Sequence, residues 1–294
     1  MSLARVNSQL NLSALAKMVS NAGLQRMMFA DDFKKQAKHL KQLLRKNGIQ
    51  VEKKSYVSEL IDISYDHLLT HYRHEYLYKV ALLNSYVFHN HSLSDTILLN
   101  EFRIGNSKAD TILINGANKV FEIKTELDSP ERLCTQIDDY YKGFSEVYIV
   151  IHHSEIGKYM DCIDEHVGIM VFSKDNTIEL CKAAQIYNDR LDIVAMIKAL
   201  RKDEYLQLVY KMIGEIPKAT PVQLFKTCVN ILSEYPVLEV HAEFLKIIKK
   251  RINLCTNDLI QKSELPAALR LSCYYYNLDQ NDYISLVDKL SYQI

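Results

Sequence analysis

The stretch that decides the fold is residues 109–126, Ala-Asp-Thr-Ile-Leu-Ile-Asn-Gly-Ala-Asn-Lys-Val-Phe-Glu-Ile-Lys-Thr-Glu. Two apolar runs flank the turn signal at residues 115–118, which predicts a β-hairpin. Because side chains alternate along a strand, Glu122 and Lys124 share one face while Ile123 points to the other. An unpaired buried charge is costly, so these charged groups need a partner or a metal ion.

The hairpin register decides where Asp110 lies. A turn of even length, centred on Gly116 and Ala117, would place Asp110 opposite Ile123, on the wrong face. An odd loop centred on Gly116, or a bulge, would place it opposite Glu122. We predict the odd register.

Two carboxylates on one face at this spacing predict a divalent cation, since they would otherwise repel each other. Hard oxygen ligands suit Mg²⁺ or Mn²⁺. Such an ion would polarise a scissile phosphate and lower the pKa of a bound water. Lys124 would orient or deprotonate that water, or stabilise the developing charge. The alternative is a buried ion pair between Glu122 and Lys124, which leaves Asp110 unexplained.

The segments around the hairpin predict an α/β domain with a mixed β-sheet. Strand patterns cover 96–104, 110–114, 119–126, 146–152 and 167–173, with a candidate sixth at 177–181. A helix predicted over 130–142 joins the hairpin to the apolar strand at 146–152, which indicates a crossover and helices on both faces. After about residue 185 only helical periodicity remains, over 191–213, 221–234, 238–253, 264–276 and 281–291.

We therefore predict three regions: an N-terminal arm or short helix at 1–30, an α/β domain at 31–185 and an all-helical domain at 186–294. Helical periodicity also covers 31–47 and, in more than one piece, 57–88.

Composition limits the classes of function. The 294 residues contain 36 Lys and Arg and 36 Asp and Glu, so the chain has no global basic charge that would indicate a nucleic-acid binder. No apolar run is long enough to cross a bilayer, and residues 1–29 lack the apolar core of a secretory signal. We expect a cytoplasmic protein that does not bind membranes.

The helix predicted at 31–47 is locally basic. Phe33, Ala37, Leu40 and Leu44 recur at helical spacing, and lysines occupy the other faces. One interpretation is a solvated basic face above a core stripe. The other is a phosphate-contacting surface formed by Lys34, Lys38, Lys41 and Arg45.

The pattern of Asp110 followed by Glu122-Ile123-Lys124 resembles the PD-(D/E)XK superfamily of restriction-endonuclease-like nucleases, with Ala109 in place of the usual proline. Two further features match the superfamily. Glu75 corresponds to the acid on an upstream helix, and Gln136 with Tyr140 corresponds to the Q-x-x-x-Y signature of its exonuclease-like branch. The longer string at 101–105, 108–110, 122–128, 132–133 and 136–141 is similar to a largely uncharacterised group of bacterial and phage PD-(D/E)XK-like proteins.

The resemblance implies a restriction-endonuclease-like fold over roughly residues 31–205 and a nuclease that depends on Mg²⁺ or Mn²⁺ and acts on phosphodiester bonds, DNA being the expected substrate. The implied catalytic residues are Lys124, Asp110, Glu122, Gln136 and Tyr140. The implied metal ligands are Asp110, Glu122, the backbone carbonyl of Ile123 and Glu75. Nucleic acid would also contact Arg103 and Lys108, although Arg103 has the alternative of pairing with Glu101 or Glu75.

Two other functions stay open. The fold could serve as a binding or regulatory module without catalysis, which the neutral net charge favours. The helical C-terminal region could carry homo-oligomerisation or a protein partner within a larger complex, for example in phage defence.

Overall fold

A computed structural model describes residues 3–252 and 257–294 of the chain. Residues 1 and 2 of the predicted arm and the last residue of the helix predicted over 238–253 lie outside the described residues. By contacts the chain divides into two compact units. The first comprises 1–94, 174–178 and 254–294, and the second comprises 95–173 and 179–253.

The helices and strands are numbered in chain order. The α-helices are α1 Leu3–Met18, α2 Asn21–Phe29, α3 Phe33–Lys46, α4 Val57–His71, α5 Glu75–Ala81, α6 Phe88–Asn90, α7 Leu133–Tyr140, α8 Ile156–Met160, α9 Ile193–Ala199, α10 Lys202–Ile213, α11 Pro221–Leu232, α12 Val237–Lys249, α13 Ala267–Tyr276 and α14 Gln280–Leu290. The strands are β1 Ile97–Ile104, β2 Ser107–Ile114, β3 Asn118–Lys124, β4 Glu146–His152, β5 Gly168–Phe172 and β6 Ile178–Lys182.

The six strands form one sheet in the order β1-β2-β3-β4-β5-β6. The pairs β1–β2 and β2–β3 are antiparallel, whereas β3–β4 and β4–β5 are parallel. α7 makes the crossover between β3 and β4 and packs on β2, and α9 packs on β1. The predicted α/β class, with a mixed sheet, flanking helices and a helical C-terminal region, is confirmed.

The centre of the sheet is apolar because β4 is enclosed. Its residues from Val147 to His152 are all buried, as the continuous apolar run predicts. Phe121 on β3 stacks against Tyr148 on β4 at a ring distance of 5.6 Å. This rigid centre fixes the position of β3, which carries Glu122 and Lys124.

The hairpin has the predicted odd register. Thr111 pairs with Phe121 and Ile114 with Asn118, around a loop centred on Gly116. Gly116 has φ +109°, a conformation that favours glycine, and the main-chain N–H of Asn115 donates to the oxygen of Ala117 at 3.1 Å. Continued by one pair, this register places Asp110 opposite Glu122.

The first unit is helical. Its α3 buries the predicted stripe of Phe33, Ala37, Leu40 and Leu44. The predicted helical span at 57–88 consists of α4, α5 and a π-helix at Leu82–Val87 that continues α5. α13 packs against α2 and α5.

Residues 179–253 group by contacts with the sheet, whereas the sequence-based division places everything from 186 to 294 in one helical domain. Within the second unit α10 packs on α12, and α12 packs on α9. In the described parts of the chain, every helix falls short of the length and apolarity that a bilayer crossing requires.

Candidate active site

The carboxylate of Asp110 lies at the point where β2 and β3 separate. The last pair between these strands is Thr111 with Phe121, and beyond it β3 continues alongside β4. The Oδ2 atom of Asp110 accepts a hydrogen bond of 2.7 Å from the main-chain N–H of Ile123. Beyond the last main-chain pair of β2 and β3, the Asp110 carboxylate therefore accepts the N–H of β3. This hydrogen bond holds Asp110 beside Glu122.

Glu122 is the centre of the site and is only 2% exposed. Its Oε1 atom accepts from Lys124 Nζ at 2.7 Å and from Gln136 Nε2 at 2.6 Å. Its Oε2 atom accepts from the hydroxyl of Tyr140. Gln136 Oε1 also accepts from Lys124 Nζ at 2.8 Å, so Glu122, Lys124 and Gln136 form a closed hydrogen-bonded ring.

α7 brings Gln136 and Tyr140 to the strand because they stand four residues apart on one helical face. Leu133 and Ile137 are buried and anchor this helix to the sheet. Burial, followed by the negative charge of Glu122 and of Asp110, raises the pKa of the Tyr140 hydroxyl well above its ordinary value. Tyr140 therefore stays protonated and donates to Glu122 at any physiological pH.

Glu101 is an acid of this site that the sequence did not single out as a ligand. Asn100 pairs with Thr111 and Phe102 with Ala109. Glu101 on β1 therefore lies opposite Asp110 on β2. One of its carboxylate oxygens lies within 4.8 Å of one of Asp110. Glu101 has φ +58°, which is uncommon for a residue other than glycine. The β1–β2 register was needed to place it.

Within the second unit, Asp110 and Glu101 offer carboxylate oxygens, the ligands that a hard divalent cation prefers. Both oxygens of Glu122 accept hydrogen bonds from Lys124, Gln136 and Tyr140. The roles of Glu122 and of the Ile123 carbonyl as metal ligands stay predictions. Two oxygen ligands of one Mg²⁺ ion lie at most about 4.2 Å apart. The separation of at most 4.8 Å between Glu101 and Asp110 is close to that distance.

The other predicted site residues fall into two groups. Glu75 begins α5 in the first unit, where it pairs with Lys79, and its role as a metal ligand stays a prediction. Arg103 and Lys108 lie in the second unit, directly opposite each other on β1 and β2, and both are exposed. Lys108 also pairs with Glu101.

One residue of the predicted basic surface is placed differently. Lys34, Lys38 and Arg45 are exposed on α3, but Lys41 is only 5% exposed. Its Nζ atom donates to the main-chain oxygens of Lys53 at 3.0 Å and of Ile294 at 2.5 Å. Burial, and next the nearby charge of Arg45, lower the pKa of Lys41. We correct its assignment: this ammonium is used inside the first unit and is not presented to a phosphate.

Asp139 binds the turn between β1 and β2 through hydrogen bonds. The strand after this turn, β2, carries Asp110. It is 3% exposed, and its Oδ2 atom accepts from the N–H of Asn106 at 3.0 Å and from Ser107 Oγ at 2.7 Å. Its Oδ1 atom accepts from Lys142 Nζ at 2.5 Å. A Cβ atom at Gly105, which has φ +58°, would overlap this carboxylate. Asp139 lies within the string at 132–141, but no local pattern assigns it this role, because the turn that it holds is distant in the chain.

We expect Asp139→Asn to lower the free energy of unfolding by about 1.5–3 kcal/mol at pH 7, since it weakens hydrogen bonds to a buried charge. Burial alone would raise the pKa of Asp139, but the hydrogen bonds from Lys142, Ser107 and Asn106 outweigh burial and lower it from 3.8. A depressed folded-state pKa stabilises the protein above the unfolded pKa of about 3.9, and this contribution is lost as the pH falls through the folded value.

Urea unfolding at pH 7, 4 and 3 measures this difference, which should shrink as the pH falls. The exposed neighbour Asp138 pairs with Arg190 at the surface, and Asp138→Asn should cost less than about 1 kcal/mol at pH 7. A difference between wild type and Asp139→Asn that is the same at all three pH values would contradict the assignment.

Comparisons with known proteins find similarity to a bacteriophage protein. The sequence model of a family described as bacteriophage P4 protein cII matches residues 69–270. Protein cII of Enterobacteria phage P4 is 26% identical over 189 residues, which cover 63% of this chain and 70% of that protein. No solved structure matches the chain significantly. Because the family match spans more than half of its length, the chain belongs to the bacteriophage P4 protein cII family.

Proposed function

We propose that the protein is a metal-dependent nuclease that hydrolyses phosphodiester bonds, with DNA as the expected substrate. The observation that supports this best is the convergence of Asp110, Glu122, Lys124, Gln136 and Tyr140 from two strands and a helix. These are the positions that the PD-(D/E)XK resemblance assigns to catalysis. A simple ion pair would account for Glu122 and Lys124, but it would not require Asp110 on the neighbouring strand.

Asp110, Glu122 and the carbonyl of Ile123 would hold Mg²⁺ or Mn²⁺, with Glu101 as an added oxygen donor. When bound, the ion supplies Lewis-acid polarisation of a phosphate oxygen and a lowered pKa for an attacking water. The resemblance also implies Glu75, the acid on the upstream helix α5, as a metal ligand.

The side chains of the site have separable tasks. Lys124 provides a positive charge and three N–H donors, suited to orienting the attacking water or stabilising charge on the phosphate. Gln136 keeps this ammonium in place by accepting from it at 2.8 Å. Tyr140 donates to Glu122 and fixes the orientation of its carboxylate. Gln136 and Tyr140 thus position the groups that contact the substrate.

The decisive experiment is cleavage of plasmid DNA and of a labelled oligonucleotide by purified protein with Mg²⁺, Mn²⁺ or EDTA. Asp110→Asn should reduce metal-dependent cleavage by at least about two orders of magnitude. Asp161→Asn is a matched control, because Asp161 is an exposed acid of the same unit that makes no side-chain contact with the site. Cleavage that survives Asp110→Asn would identify a contaminant and overturn the proposal.

A binding or regulatory module without catalysis is the second candidate. Its support is the closed set of hydrogen bonds around Glu122, which satisfies the carboxylate without an ion. Such a module would bind nucleic acid or a protein partner without Mn²⁺ binding at millimolar concentration and without cleavage. We propose a cytoplasmic location for either function, and the C-terminal helices as the region that contacts a partner.

A further inference from the structure

A groove of about 440 Å³ runs along β1, on the strand that carries Glu101. Its walls come from β1, from the connection between α9 and α10, and from Arg251, just after the end of α12. The lining residues are Leu99, Asn100, Glu101, Phe102, Arg103, Ala199, Leu200, Arg201 and Arg251. All of them belong to the second unit, and three are arginines from distant parts of the sequence.

Arg251 is held as a rigid plane. Its Nε and Nη2 atoms donate to the two carboxylate oxygens of Glu204 at 2.7 and 2.6 Å, and Nη2 also donates to the carbonyl of Ala199 at 3.1 Å. Its guanidinium lies over the ring of Phe102 at 5.2 Å. Glu204 neutralises its charge, so what this side chain offers the groove is a flat, fixed surface on which a base can stack.

Arg103 and Arg201 bring two positive charges to the groove, and the carboxylate of Glu101, the acid among its lining residues, pairs with Lys108. The two arginines are exposed, and neither forms an ion pair within the described part of the chain. Arg103 also lies directly opposite Lys108 in the β1–β2 register. Lys108 pairs with Glu101, so Arg103 is the cation of this strand pair that remains for an anionic ligand.

We infer that this groove binds a single-stranded segment of nucleic acid that flanks the scissile phosphate. Arg103 and Arg201 contact its phosphates, and Arg251 stacks against a base. The groove continues from Glu101, which lies beside Asp110, so the bound strand leads into the site. A cationic groove combined with stacking planes is how proteins hold single strands. The inference rests on the proposed nuclease function and names the form of its substrate.

The test is binding of a fluorescent single-stranded oligonucleotide in EDTA, followed by anisotropy over a range of salt concentrations. The double variant with Arg103→Gln and Arg201→Gln should lower the slope of log K against log salt by about 1.4, which is about 0.7 for each lost phosphate contact. Lys226→Gln, an exposed cation of the same unit on α11, should leave the slope unchanged. Arg251→Lys should weaken binding without changing the slope.

Three results would overturn the inference: no single-strand binding by wild type, an unchanged slope in the double variant, or duplex of the same sequence bound as tightly as the single strand. Both exposed arginines can be replaced without burying a charge, and thermal unfolding of each variant checks that it is folded. Cleavage measured in parallel with Mn²⁺ separates the two proposals. If the protein cleaves but the double variant has an unchanged salt slope, only the single-strand groove is rejected. If the slope changes but the protein does not cleave, only the nuclease function is rejected.

Discussion

Lys124→Ala is expected to reduce phosphodiester cleavage by about two to three orders of magnitude and to lower the free energy of unfolding by about 3–5 kcal/mol. Cleavage falls because the site loses the positive charge next to Glu122 that would act on the substrate. Stability falls because the carboxylate of Glu122, which is 2% exposed, loses the ammonium that lies 2.7 Å away. Single-turnover cleavage and urea unfolding of the same preparation measure both effects.

A second variant separates the catalytic from the structural part of this result. Glu122→Leu combined with Lys124→Met replaces the buried pair by apolar side chains of similar size, which usually restores stability. We expect it to recover part of the lost free energy of unfolding, since Gln136 and Tyr140 lose their acceptor on Glu122, while cleavage stays absent. Lys226→Ala, at an exposed position, should change stability by less than about 0.5 kcal/mol. Full cleavage by Lys124→Ala would contradict the role of Lys124 in the reaction.

Mn²⁺ at one hundred times its dissociation constant is expected to raise the free energy of unfolding by about 2.7 kcal/mol, because an ion that binds only the folded state stabilises it. Asp110→Asn and Glu122→Gln should each abolish most of this gain, since each removes a charged oxygen ligand. Thermal unfolding at increasing Mn²⁺ concentration, with calorimetry to give the dissociation constant, measures the effect.

Asp161→Asn is the control for the metal experiment and should retain the full stabilisation. If millimolar Mn²⁺ neither raises the unfolding temperature of the wild type nor gives a heat of binding, the protein is not a metal-dependent nuclease. The binding-module candidate would then be favoured. Retained stabilisation in Asp110→Asn would place the ion elsewhere in the protein.

Much of the sheet follows from local sequence. The limits of β4 agree with prediction at both ends, because a continuous apolar run between polar residues is a strong strand signal. The odd hairpin register was predicted and is confirmed, although the turn signal at 115–118 also allowed an even turn, which would have put Asp110 on the other face. The shared face of Glu122 and Lys124 follows from strand alternation alone.

The groups that hold this face together could not be placed in the same way. Glu101 reaches Asp110 only through the β1–β2 register, and Asp139 reaches the β1–β2 turn across 33 residues of chain. Lys41 has the spacing of a surface lysine, yet Lys53 and Ile294 enclose it. The partners of Asp139 and Lys41 are distant in sequence, so no local pattern carries the information. Glu101 is close to Asp110 in sequence, but its place depends on the β1–β2 register, which was not predicted.

The sequence by itself determined the strands, the hairpin and the three charged residues of the candidate site, because periodicity and turn chemistry act over a few residues. Tertiary structure alone decided which groups neutralise or orient those charges. It joined Gln136 to both Glu122 and Lys124, and it brought Arg103, Arg201 and Arg251 to one groove. Such contacts depend on how elements far apart in the chain pack together, and burial of apolar surface, which fixes that packing, is not directional.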